Sequence, residues 1–201
     1  MEYLLHFFLG LLVAYIGLLA PGMLNMTAVQ ITVDKKSSYA YKFAVGASII
    51  IMFQAGIALF FAGYLNKNPD VITLLEKIGV FVFFALSILF FLKTRSKLKY
   101  KKKKRKGNYF LNGAIMSMAN MLSIPFFLAS STYLVAIGFL LMRPKYIILF
   151  VVGAMFGAYL LFFTYIAFAK VIIKRANFIA RNINYILSVL FLVLGIWTWL
   201  K

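Results

Sequence analysis

The sequence predicts an all-α integral membrane protein, with six transmembrane helices arranged as two inverted three-helix repeats. Three observations carry that reading. Hydrophobic residues make up 64% of the 201-residue chain and charged residues 13%, against about 45–50% and 25% in soluble domains. A globule of this length cannot hide so much apolar surface, so most of it must face lipid. Polar punctuation then cuts the chain into six apolar segments, each close to or above the roughly 20 residues that a spanning helix needs. Finally, the first three segments and the last three echo one another.

Segment one, at 3–33, is too long for one perpendicular crossing and is interrupted by proline. Phe8, Leu9 and Gly10 lead through an apolar stretch to Ala20, Pro21, Gly22, Met23, Leu24 and Asn25. It ends at Asp34, Lys35, Lys36, Ser37 and Ser38. Segment two, 40–65, closes at Asn66, Lys67, Asn68, Pro69 and Asp70, and segment three, 71–92, runs into a basic stretch. Segment four, 109–142, is again overlong and broken, with Phe110 and Gly113 followed by Asn120, Met121, Leu122, Ser123, Ile124 and Pro125. Arg143, Pro144 and Lys145 separate it from segment five, 145–170; segment six is 182–200. Glycine precedes proline by 11 residues in segment one and by 12 in segment four. Phe43 to Ala47 in segment two is likewise echoed by Phe150 to Ala154 in segment five. The domains read as a first repeat at 1–92, a polybasic loop at 93–107 and a second repeat at 108–201. Three helices per repeat force the halves to insert with opposite polarity.

Charge sets the orientation. The formal charge is +18, and 10 of the 22 Lys and Arg residues fall between 93 and 106. A short polybasic run between two spans is held in the cytoplasm, near anionic lipid. No aromatic stacking platform accompanies it, so nucleic acid is not the expected partner. The loops after segments one, three and five hold 17 Lys and Arg, and the other side holds 5. That bias places both termini outside. Met1, Glu2 and Tyr3 offer no basic n-region, so the first segment reads as a span and not as a cleavable signal. Trp197, Trp199 and Tyr3 read as interfacial anchors.

The chemistry available is narrow. With no cysteine, thiolate nucleophiles, thiol redox relays and cysteine-based metal sites are excluded. One histidine, His6, and four scattered acids, Glu2, Asp34, Asp70 and Glu76, make neither a metal cluster nor a catalytic triad. No enzyme, no cofactor and no metal are expected. Polar groups gather instead at the two breaks. Proline has no N–H and clashes with the preceding turn, so Pro21 is expected to free the carbonyl of Gly17, and Pro125 that of Met121. Such groups in hydrocarbon need protein or a water-filled cavity. The half-helix starting at Gly22 would offer N–H groups and a partial positive charge. The candidate substrate site is therefore Gly17, Pro21, Gly22, Asn25, Gln54, Asn120, Met121 and Pro125. Carbonyls can hold an ammonium and N–H ends a carboxylate, which suits a zwitterion. The glycines at 46, 56, 153 and 157 read as close helix packing.

A Phe-x-x-Gly near the start, Pro21-Gly22, and Gly113 followed by Asn120 and Pro125 resemble the lysine exporter (LysE-type) translocators, which include homoserine and threonine efflux proteins. The likeness covers nearly the whole chain. Met23 stands where the family has a second proline, and Ile124-Pro125-Phe126 stands where it has Asn-Pro-Lys. The resemblance implies amino-acid efflux, driven by a proton gradient, across the cytoplasmic membrane of a bacterium. The partners are then a small-molecule substrate, an amino acid first, with anionic lipid at 93–107; a homodimer is left open. Two other functions compete: an ion or metal exporter of the same superfamily, and a membrane-assembly or lipid-docking protein working through its basic loop.

Overall fold

A computed structural model of the chain describes residues 2–67 and 107–172 continuously, together with positions 81, 84, 85, 87, 88, 91, 92, 188–190, 192, 193, 195–197, 199 and 200. Every regular element among them is helical. Six helices are α1 (Glu2–Gly17), α2 (Met23–Asp34), α3 (Ser37–Lys67), α4 (Tyr109–Ala119), α5 (Ser123–Ala136) and α6 (Pro144–Ala167). Two of these, α3 and α6, are each long and apolar enough to cross a membrane; α4 and α5 supply a third crossing if their bent pair is one span. Most of segment three, nine of the nineteen residues of segment six and the basic run at 93–106 lie outside the described residues.

Local chemistry explains the ends. Segment one divides because Pro21 cannot donate to the preceding turn, and residues 18–22 leave the helix. Segment four divides at Asn120–Leu122 with a bend of 65° between α4 and α5. Asn108 caps α4, its side chain accepting the Phe110 N–H at 3.0 Å. The fourth segment also stops earlier than its hydropathy suggests. Gly138 takes φ +77°, and its N–H and that of Phe139 return to the carbonyls of Val135 and Leu134. This is a Schellman cap, which needs a left-handed residue at Gly138. Pro144 then starts α6, with Arg143 extended before it.

The chain divides into two compact units, Met1–Asn66 with Lys106–Ile173, and Lys67–Arg105 with Lys174–Lys201. In the first unit, helix directions follow from paired contacts. Glu2 meets Tyr146 and Tyr15 meets Thr164, so α1 and α6 run parallel. Phe43 lies beside Gly113 and Gln54 beside Ser117, so α3 and α4 are parallel as well. The rings of Tyr41 and Phe43 meet those of Phe163 and Phe162, whereas Gly56 sits against Val151; α3 and α6 are antiparallel. Helices α1 and α4 therefore run in opposite directions.

Two seams hold these helices at backbone contact. A Cβ added at Gly10 would strike the carbonyl of Phe150, and one at Gly153 would strike that of Phe7. In the other seam, Gly46 sits on the carbonyl of Phe110 and Gly113 on that of Phe43. Around them the core is built from fully buried Ala14, Ala44, Ala47, Ala55, Ala58, Ala154 and Ala158, with Phe43, Phe127, Phe150 and Phe162 filling the gaps. Lipid removes the hydrophobic drive between helices, so association rests on dispersion at such close approach.

In the second unit the described positions are helical. Ser87 Oγ donates to the Ser188 carbonyl at 3.0 Å, and Ser188 Oγ returns a bond to Ser87 at 3.1 Å. Trp197 and Trp199 are exposed.

Candidate functional site

Each helix break is held by a side-chain amide. At the first, Asn25 lies in the opening turn of α2, 5% exposed, and its Nδ2 donates to the carbonyls of Leu18 at 2.8 Å and Ala20 at 2.9 Å. The Tyr165 hydroxyl, reaching from α6, donates to the Leu19 carbonyl at 2.6 Å. Three successive carbonyls thus end on side chains, in place of the N–H groups an unbroken helix would supply. The Gly22 N–H closes a tight turn onto Ala20 at 2.7 Å, and α2 begins with no side-chain cap.

At the second break the amide comes from another helix. Gln54 of α3 donates through Nε2 to the carbonyls of Ser117 at 2.9 Å and Asn120 at 3.2 Å. Asn120 Nδ2 in turn donates to Ser123 Oγ at 3.3 Å. The Gln54 Oε1 and the Ser117 hydroxyl are buried with no hydrogen-bond partner among the described residues. An orphaned buried acceptor is costly, by about 1–3 kcal/mol, so such atoms mark places where a donor belongs.

The structure modifies the carbonyl inventory expected from sequence. The Met121 carbonyl is not left free, because the Ile124 N–H reaches it at 3.3 Å in a three-residue turn. Pro125 sits within the first turn of α5, where its missing N–H costs nothing, and the irregular residues precede it. Gly17 closes α1, and the ring of Phe126, the residue after Pro125, lies against it so tightly that a Cβ there would collide. Leu18 and Leu24 from the first break, with Ile124 and Phe127 from the second, join one apolar cluster. The two breaks thus adjoin within one unit. Asn25, Gln54 and Asn120 stand out along the chain by their polarity inside apolar segments, whereas Tyr165, Phe126 and Ser117 do not. Nothing in their local pattern distinguishes them from ordinary packing residues; only the fold brings them to the breaks.

Long apolar helices, backbone-tight glycine seams and amide-supported breaks define a polytopic helical membrane protein of the broken-helix kind. The family model for LysE type translocators matches residues 15–200, and the chain belongs to that family. Neither a curated protein nor a solved structure matches it. The protein is accordingly a membrane translocator of the efflux class, acting on a small molecule, and this class of transporters is compatible with the expectation that it is no enzyme.

Proposed function

We propose that the protein exports an amino acid or a related small zwitterion by alternating access, through a site where the two helix breaks meet. The observation that carries this reading is the Phe126 ring seated on Gly17, which joins the Pro125 break to the Pro21 break. The uncapped start of α2 supplies backbone N–H groups and the positive end of a helix dipole for a carboxylate. The Gly17 carbonyl, the second lone pair of the Met121 carbonyl and the orphaned Gln54 Oε1 accept the ammonium. Asn25 and Asn120 hold the loops that present these groups, and Gly22 and Pro125 shape them. No buried ionic side chain is required.

The reading includes six spans in two inverted repeats, 1–92 and 108–201, with both termini outside and 93–107 cytoplasmic. Support comes from the seams. The contact of Gly10 with Phe150 has its counterpart in that of Gly113 with Phe43, and Gly153 with Phe7 in Gly46 with Phe110. Exchanging the halves turns one set into the other, as a pseudo-twofold axis in the membrane plane would. The reciprocal bonds of Ser87 and Ser188 follow the same rule. The membrane is taken as the cytoplasmic membrane of a bacterium, and anionic lipid is the proposed partner of the basic loop.

The test is efflux from proteoliposomes containing this chain alone, loaded in turn with a panel of amino acids. Protein-dependent loss of at least one of them is expected. If every amino acid and dipeptide stays inside, with and without an imposed proton gradient, the substrate assignment is wrong.

A further inference from the structure

At the end of α1 remote from the breaks lies the single histidine of the chain. His6 is 1% exposed, and both ring nitrogens are committed. Its Nδ1 is 2.7 Å from the Glu2 carbonyl, which can only accept, so Nδ1 carries the proton. The Leu141 N–H donates to Nε2 at 3.1 Å, so Nε2 must keep its lone pair. The two bonds together fix one neutral tautomer. The ring also stacks on Tyr146 of α6 with centroids 4.2 Å apart, and the Tyr146 hydroxyl donates to Glu2 Oε2 at 2.6 Å. The Tyr3 ring is tilted against that of Tyr146 with centroids 5.4 Å apart, and Arg143, preceding α6, acts on Tyr146 through space. Among the described residues, these are the titratable and charged groups that contact or act on the His6–Tyr146 stack from α1, from α6 and from the connection between α5 and α6.

We propose that His6 is a proton-binding site that latches the connection between α5 and α6 onto α1 and releases it when protonated. A proton arriving from solution takes the Nε2 lone pair, so the Leu141 N–H loses its acceptor and faces a second N–H donor. The imidazolium keeps its Nδ1–H bond to the Glu2 carbonyl and gains the face of Tyr146. What it gives up is the loop. Leu141 follows Leu140, whose side chain is 2% exposed in the main apolar cluster, so freeing the backbone loosens a core contact. The device goes beyond the substrate reading and does not depend on it.

Two measurements that ignore transport test it. Protein with [15N]histidine, purified through a histidine-free tag, gives one pair of ring resonances. Near pH 8 they should report the Nδ1–H tautomer, and acidification should convert it to imidazolium; an Nε2–H tautomer at high pH overturns the proposal. In the second, Leu140→Cys supplies the only thiol, and its maleimide labelling rate is divided by that of the SDS-unfolded protein at each pH. From about pH 8 to about pH 5 the ratio should rise by about tenfold, and it should stay flat with His6→Gln added. A flat profile with His6 present, or an unchanged rise with His6→Gln, overturns it.

Discussion

Asn25 and Gln54 do the same work from different places: a neutral amide NH2 holds two carbonyls at a helix break. Replacing Asn25 by Ala leaves the half-buried Leu18 carbonyl without its donor, while the Ala20 carbonyl keeps the Gly22 N–H; the unpaired acceptor costs about 1–3 kcal/mol. Thermal unfolding in detergent should therefore shift down for Asn25→Ala, and transport should fall strongly with it. Gln54 is the counterpart at the second break. Gln54→Glu keeps the size but removes the donors to Ser117 and Asn120 and buries an acid, so proteoliposome efflux should drop at least about tenfold. Wild-type efflux from Gln54→Glu would show that this amide has no part in the pathway. The polarity of these residues inside apolar segments is legible along the chain itself, since an amide in lipid needs a partner. Which carbonyls they hold is not legible there, because the partners of Gln54 lie more than sixty residues away.

Helices meet here at glycine, and the elements are easier to read from sequence than their pairing. The echo of Phe43 to Ala47 in Phe150 to Ala154 is visible along the chain, yet it does not say that Gly46 lies on α4 and Gly153 on α1. Hydropathy also hides the early end of α5, which a single left-handed residue, Gly138, decides. Leucine at Gly46 or at Gly113 drives side-chain atoms into the facing backbone, and overpacking of this kind costs about 1–3 kcal/mol or more. Each variant should lower the yield of folded protein in size-exclusion chromatography. Leucine at Gly22, where an added Cβ meets nothing nearer than 3.8 Å, should leave the yield near wild type. Equal yields across the three positions would mean that the seams do not govern assembly.

Across the whole molecule, charge asymmetry predicts which end of each helix faces the cytoplasm. The cysteine-free background makes this simple to check with Lys103→Cys. An impermeant maleimide applied to intact cells should leave that thiol unlabelled, and lysis should expose it. Replacing the basic residues of 93–106 with Gln should preserve the transport rate per correctly inserted molecule and abolish retention on vesicles rich in anionic lipid. Loss of transport with insertion intact would move the working part of the protein into the loop. The glycine seams carry a different consequence. Each one joins a helix from 1–92 to a helix from 108–201, α1 to α6 and α4 to α3, so neither half owns both sides of any seam. Either half synthesised alone would present bare glycine grooves to lipid and become a substrate for membrane proteases. The peptide bonds between the halves, by contrast, contribute nothing to the seams. Two genes encoding the severed halves should complement one another, each fragment accumulating only when the other is co-expressed.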